Sequence, residues 1–376
     1  MTLDPWELPG PSAFLDETVE ALRAGASLLV QFPEHALDGY REATRRAMGR
    51  DGLLSLTEVE AGTDEPLPAI AGAFDWEARA PWLRSPVILA ESKRMEGHLV
   101  WVTGVGAEQW PAWRDFIERF SHACRAFHAG DCGQICLDLP GTLQAKDPAT
   151  DPVLRHLAWR DRLSRLDVML FLGRGMVRAG RMPFERELRM ALAVEIAGFD
   201  LGLAASLVRA PLATLLAPVE TLKTEAERRG WATRRVADGW STGRQDNWEG
   251  RPFEHPASLA VDGRVDVIHH RVWRAELGVI FPILEEKRIE MVKKLGNKLK
   301  PMHTDFGYVS RVEDLELGSI AYQVRKFQLG RSLEEKLVHM AELRNALAHM
   351  EPVKPENLVG VGLLDRSALA APGMAA

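Results

Sequence analysis

The chain has few cysteines, only Cys124, Cys132 and Cys136 in 376 residues. An odd, small number argues against a disulfide framework and fits a reducing compartment. Long apolar runs are also missing. The most apolar window, 192–208, is interrupted by Glu195 and Asp200, so no membrane span is expected. The N-terminus, Met1-Thr2-Leu3-Asp4-Pro5, lacks the basic-then-apolar order of a signal peptide. A cytoplasmic protein is the expectation. Nor is there an excess of positive charge: the net charge is −6, so any contact with nucleic acid must come from a local basic patch.

Phosphate-binding loops are absent too. No Gly-x(4)-Gly-Lys-Ser/Thr run is present, so nothing offers the glycine amides and lysine that cradle phosphates. Gly104-Val105-Gly106 and Gly173-Arg174-Gly175 lack the third glycine of a dinucleotide loop. The stretch 173–180 carries Arg174 and Arg178, so an anion site is one reading and a plain loop the commoner one. His122, Cys124, His128, Cys132 and Cys136 cluster in sequence, but the pairing typical of zinc sites is loose and buried free cysteines are common. No cofactor and no metal is expected. The eleven tryptophans are scattered without basic interleaving and read mostly as packing residues.

What is present resembles an ordinary globular chain, with 46% hydrophobic and 27% charged residues and room for two to three domains. Strand-like runs at 27–32, 53–59, 86–90, 98–102, 134–139 and 167–172 alternate with helical stretches at 36–48 and 109–128. That alternation predicts a largely parallel α/β sheet domain over 1–180. Helices at 185–197, 202–215 and 219–229 predict a helical subdomain over 181–237. Residues 238–265 read as a linker, although Trp240, Trp248 and Phe253 argue that it packs on a neighbour. An all-α bundle is expected over 266–362, followed by a flexible tail at 363–376. Its helices are predicted at 267–300, with a kink or break at Pro282, at 315–327 and at 333–349.

The last of these helices carries the most informative residues. Leu333, Leu337, Met340, Leu343 and Leu347 form one apolar stripe at helical spacing, and Arg344 falls inside it. Arginine is rarely buried unless paired or functional. Asn345 and His349, four residues apart, share another face. The negative end of the helix is complementary to a protonated imidazole at His349. Upstream, Lys287, Arg288, Lys293, Lys294, Lys298 and Lys300 stand against a single acid, Glu290, within 287–300. This is the footprint of a nucleic-acid contact, or equally a solvated helix face.

The run Arg344-Asn345-Ala346-Leu347-Ala348-His349, followed by Glu351-Pro352, resembles the Arg-x(4–6)-His signature of HEPN domains. The resemblance implies a helical domain that pairs with a second copy to build a composite site. It implies metal-independent RNA cleavage, with Arg344, Asn345 and His349 as catalytic residues and a 2′,3′-cyclic phosphate product. The chemistry suits these residue types. Histidine moves protons near neutral pH, and a fixed guanidinium meets the charge that develops on a phosphate. The expected partners are RNA, with tRNA among the candidates, a second copy of the chain, and a protein encoded nearby. A toxin or antiphage-defence effector would have this plan. The N-terminal outline resembles a P-loop NTPase of the AAA or STAND kind that has lost its nucleotide chemistry: Ile135-Cys136-Leu137-Asp138 is similar to a Walker B strand, but Leu139-Pro140 follows. The alternative is a non-catalytic, dimerising scaffold or regulatory subunit that docks a partner NTPase or nucleic-acid-processing protein. In that case Arg344 would be an ion-pair partner of Glu285, Glu286 or Glu334, and His349 a helix cap.

Overall fold

The structure, a computed structural model, describes residues 4–49, 54–62, 65–128, 131–143, 151–176, 183–231, 238–304 and 307–369. It divides into two compact units, Met1–Asp167 with Val236–Phe253, and Val168–Arg235 with Glu254–Ala376.

The first unit is built on five parallel strands: β1 (Ser27–Phe32), β2 (Ser55–Glu60), β3 (His98–Thr103), β4 (Gln134–Pro140) and β5 (Leu154–Ala158), in the order β2-β3-β4-β1-β5. Parallel neighbours need crossovers, and α1 (Pro9–Arg23), α2 (Tyr40–Gly49), α3 (Pro66–Ala73), α4 (Pro86–Glu91) and α5 (Trp110–Cys124) accompany them. The α/β class expected for this region is therefore observed. Strand alternation divides the core. Ile135, Leu137 and Leu139 of β4 pack with Val100, Val102 and Leu29 against Trp113, Phe116 and Phe120 of α5. Phe14, Phe32, Tyr40 and Trp159 form a second cluster, with ring centroids 5.0–6.0 Å apart. Eight of the eleven tryptophans are buried.

Two expected strands are helices, and local capping explains both. Residues 86–90 lie in α4, because Ser85 Oγ accepts the Ile88 N–H at 3.2 Å and Pro86 occupies the first turn. Residues 167–172 lie in α6 (Arg165–Met176). There Asp167 Oδ2 accepts from Ser164 N at 2.8 Å and Oγ at 2.6 Å, a reciprocal start signal. β5, α1 and α3 add a strand and two helices beyond those expected.

The stretch 238–265 is not a linker. It holds a two-stranded sheet of β6 (Gln245–Trp248) and β7 (Arg251–Glu254) and then a helix, because its aromatics are anchored. Trp240 and Trp248 are buried, and the Trp240 indole donates to the Trp159 carbonyl at 3.1 Å.

The second unit contains α7 (Pro183–Ala197), α8 (Leu201–Arg209), α9 (Leu212–Leu216), α10 (Val219–Arg228), α11 (Pro256–Val261), α12 (Val265–Leu295), α13 (Leu317–Lys326), α14 (Arg331–Ala348) and α15 (Pro355–Val361). The helices of 181–237 do not stand apart: α7 lies along α12 in the same unit. Nor is the remainder purely helical, since β8 (Met302–Thr304) and β9 (Gly307–Val309) form an antiparallel pair after α12. α12 continues through Pro282 as one 31-residue helix, roughly 46 Å long. Pro282 is exposed, as is Gly278, whose carbonyl loses its partner there, so water can satisfy it. The tail begins later than position 363, because Leu363 and Leu364 are buried; residues 370–376 lie outside the described residues.

A buried polar network ties α8, α10 and α11. Asp200 Oδ1 caps α8 at Leu203 N, 2.8 Å, while Oδ2 meets Arg229 at 2.5 Å and His255 Nε2 at 3.1 Å. His255 Nδ1 accepts the Ala257 N–H, so Nε2 carries the proton donated to Asp200. Burial pushes the Asp200 carboxyl up, but His255 and Arg229 outweigh it and hold the group well below the usual carboxylate range. Burial keeps His255 neutral, its pKa lowered. Asp200→Ala leaves the buried His255 N–H without its acceptor and the Arg229 guanidinium with Glu225 alone, so a loss of about 2–4 kcal/mol in chemical denaturation is expected. A loss under about 1 kcal/mol would contradict the network's role.

Candidate functional site

The predicted stripe of α14 is observed. Leu337, Met340, Leu343 and Leu347 are buried, and Leu333 is half-buried. The helix ends at His349, its C-cap, where Met350 takes a φ of +59° and the Glu351 N–H donates to the Ala346 carbonyl at 2.9 Å. This left-handed turn satisfies one of the carbonyls that every helix end leaves without a partner. Pro352 then prevents the helix from continuing.

Two residues of α12, three positions apart, hold this corner. The Trp273 indole donates to the Leu347 carbonyl at 2.7 Å, a second orphan of the helix end. Glu276 is fully buried and its Oε2 accepts the Val353 N–H at 2.9 Å. Its Oε1 has no hydrogen-bond partner among the described residues. Burial pushes the Glu276 carboxyl up to about 8, against the single hydrogen bond from Val353 that lowers it.

The three residues expected to be catalytic occupy the last turns of α14. Asn345 and His349 are both exposed. At helical geometry they lie about 40° apart around the axis, whereas Arg344 and His349 lie about 140° apart. One helix therefore brings Asn345 and His349 together and leaves Arg344 on another side. Arg344 is half-buried, with 34% of its side chain exposed, and its guanidinium pairs with Glu316 at 2.9 Å. Glu316 is the residue that precedes α13. The arginine inside the apolar stripe is thus an ion-pair partner in the single chain, and its acid is none of the three anticipated from sequence.

The basic residues divide in the same way. Lys293, Lys294, Lys298 and Lys300 are exposed, and Lys287 is half-buried. Arg288 is committed within the fold: it pairs with Glu285 at 2.9 Å and donates to the Glu313 and Leu315 carbonyls at 2.7 and 3.2 Å. It fastens α12 to the chain entering α13 and is a structural cation more than a free RNA contact.

In the first unit the strand order reverses between β1, which leads to the far edge at β2, and β4, which leads back past β1 to β5. In open α/β sheets the crevice at such a switch point, beyond the carboxyl ends of the strands, is where ligands bind. Here the chain fills it. The Glu34 N–H donates to the Ser241 carbonyl at 2.8 Å, and a Cβ on Gly141 would lie 2.9 Å from Ser241 Cα and 3.0 Å from the Phe32 carbonyl. Ser241 and Thr242 are buried. Asp138 lies two residues before the end of β4, and burial raises its carboxyl to about 6. Of the His/Cys cluster, the Cys124 and Cys132 side chains neighbour each other, His122 and His128 are exposed and Cys136 is fully buried, and no group of three metal-binding side chains forms among the described residues. Arg174 and Arg178 have no described side-chain placement.

No family model matches the chain, and no curated protein matches it at a significant level.

Trp273, Glu276 and Glu316 are additions that the motif alone does not specify. One signal for Glu276 exists in the sequence, since it stands four residues from both Val272 and Ile280, which are buried. An acid whose folded pKa lies above its unfolded value stabilises the fold only while protonated. The stability is intact below pH 4.5 and is lost as pH rises towards 8. Glu276→Gln keeps the acceptor for Val353 and removes the ionisation. The variant should match wild type in urea unfolding near pH 4 and exceed it by a widening margin, on the order of a few kcal/mol, towards pH 8. A margin independent of pH would refute the assignment.

Proposed function

We propose that the second unit is a HEPN-type, metal-independent endoribonuclease that works as a homodimer, with Arg344, Asn345 and His349 as its catalytic residues. The observation that carries this reading is the pairing of Asn345 and His349, exposed side by side on the last turns of a helix whose end is fixed by Trp273 and Glu276. An exposed histidine at the negative end of a rigid helix suits proton transfer to or from RNA. The wide angle between Arg344 and His349 favours a site assembled from two α14 helices, with Arg344 of one chain facing His349 of the other.

In such a site His349 takes the 2′-hydroxyl proton or protonates the departing 5′ oxygen. Arg344 neutralises the charge on the phosphate as the 2′ oxygen bonds to phosphorus and the 5′ oxygen leaves. Asn345 holds the phosphate or orients the imidazole. The products are a 2′,3′-cyclic phosphate and a 5′-hydroxyl. The α/β unit is a regulatory element in this scheme, and the lack of a phosphate loop together with its filled crevice supports a role without nucleotide hydrolysis. The biological setting that fits is a toxin or antiphage-defence effector acting on cellular RNA, tRNA included.

A second reading rests on one specific contact. The ion pair of Arg344 with Glu316 suits a dimerising scaffold or regulatory subunit that docks a partner protein. Exposed pairs of this kind contribute about 0–1 kcal/mol, so substrate phosphate can displace the acid at little cost. Wild type should cut total RNA and tRNA in EDTA, leaving cyclic-phosphate ends, and Arg344→Ala and His349→Ala should each lose about 100-fold or more. Glu316→Gln should cut at least as fast as wild type. No cutting by folded wild-type dimer, with extract from phage-infected cells added, would favour the scaffold.

A further inference from the structure

The lysines at the end of α12 lead directly into an exposed aromatic surface. His303 and Tyr308 are register partners in the β8–β9 pair, so their side chains share a face, with ring centroids 4.9 Å apart. Tyr308 is 59% exposed. The pair is seated by Gln323 of α13, whose side chain bonds to both the N–H and the carbonyl of Lys300 at 2.8 Å and reaches the Met302 sulfur. The same helix turn exposes Tyr322, with the Lys326 ammonium 5.9 Å from its ring.

Apolar packing does not explain these rings. Tyr308 and Tyr322 are the two most exposed aromatic side chains among the described residues. Neither Lys298 nor Lys300 meets a carboxylate among the described residues, in a chain whose net charge is −6. Exposed rings interleaved with lysines that meet no carboxylate among the described residues are the composition of a single-strand stacking platform: bases lie on the rings while ammonium groups follow the phosphates. A duplex hides its base faces and cannot use such a surface.

We infer that the β8–β9 pair and the segment joining α12 to β8 bind single-stranded RNA, with a base stacked on Tyr308 against His303 and the backbone carried by Lys298 and Lys300. This rests on the ribonuclease reading and names its substrate class. From Glu316, the partner of Arg344, to Gln323, which seats the strands, is seven residues along α13, roughly 10 Å. RNA held on the platform thus extends towards Arg344, and cleavage falls in unpaired segments or loops of a folded RNA.

The test uses the full chain carrying His349→Ala, so that the probe stays intact. Anisotropy of a labelled oligouridylate is measured with this protein and with Tyr308→Ala, Tyr308→Trp and Lys298→Ala/Lys300→Ala added. Tyr308→Ala should weaken binding about 5- to 100-fold and Tyr308→Trp should retain it. The double lysine variant should flatten the salt dependence. Duplex RNA should compete poorly. Unchanged affinity in Tyr308→Ala, failure to bind the probe, or duplex binding as tight as single strands would overturn the inference. Binding is read without cutting, so a wild type that binds in this way yet never cleaves would sink the nuclease reading alone.

Discussion

The grip of α12 on the end of α14 is the constraint on which the candidate site depends. A helix terminus leaves carbonyls without partners, and those of α14 are taken by the Trp273 indole at Leu347 and by the reversed turn through Met350 at Ala346. Glu276 adds a buried carboxyl that receives the first peptide N–H after Pro352. Loosening these contacts would let the last turn fray, and Asn345 and His349 would lose their shared face. A polar clamp is costly inside an apolar seam, and the orphaned Oε1 of Glu276 shows where the cost falls. The long, uninterrupted α12 makes the clamp possible, because one rigid helix carries both the clamp and, about 30 Å further along, the lysines that lead to β8.

How far the sequence disclosed this depends on the kind of signal. Periodic apolar residues announced α14, α12 and four of the five strands of the sheet, since burial on one face leaves a readable spacing. Capping signals were as plain but easier to overlook. Ser85-Pro86 and Ser164-x-x-Asp167 each start a helix where short apolar runs suggest strands. The stretch after residue 238 looked like a linker because of its glycines and polar residues, while its tryptophans were the better guide. At the candidate site, Arg344, Asn345 and His349 were legible as a motif. The partner of Arg344 was not, because Glu316 is 28 residues away and reaches it only through the packing of α13 on α14. His303 and Tyr308 were invisible for a similar reason: only strand pairing brings them to one face.

The two units treat charge and cavities differently. In the sheet unit the switch-point crevice is closed by the chain's own Ser241 and Thr242. In the helical unit the lysines remain at the surface, while Arg288, Arg229 and Asp200 are locked into structural networks. Cations that fasten helices and cations that meet solvent are thus separable by their partners, which a count of basic residues alone does not reveal.

In the proposed dimer, catalysis draws on Arg344 and His349 of different chains. The most direct test of that arrangement is to mix the separately inactive Arg344→Ala and His349→Ala proteins under conditions that allow subunit exchange, and to follow RNA cleavage in EDTA. A mixed dimer retains one intact Arg344 facing one intact His349 if they come from different chains, so activity should return to a fraction of wild type. If both residues must come from the same chain, or if the chain does not cut RNA, the mixture stays as inactive as its components.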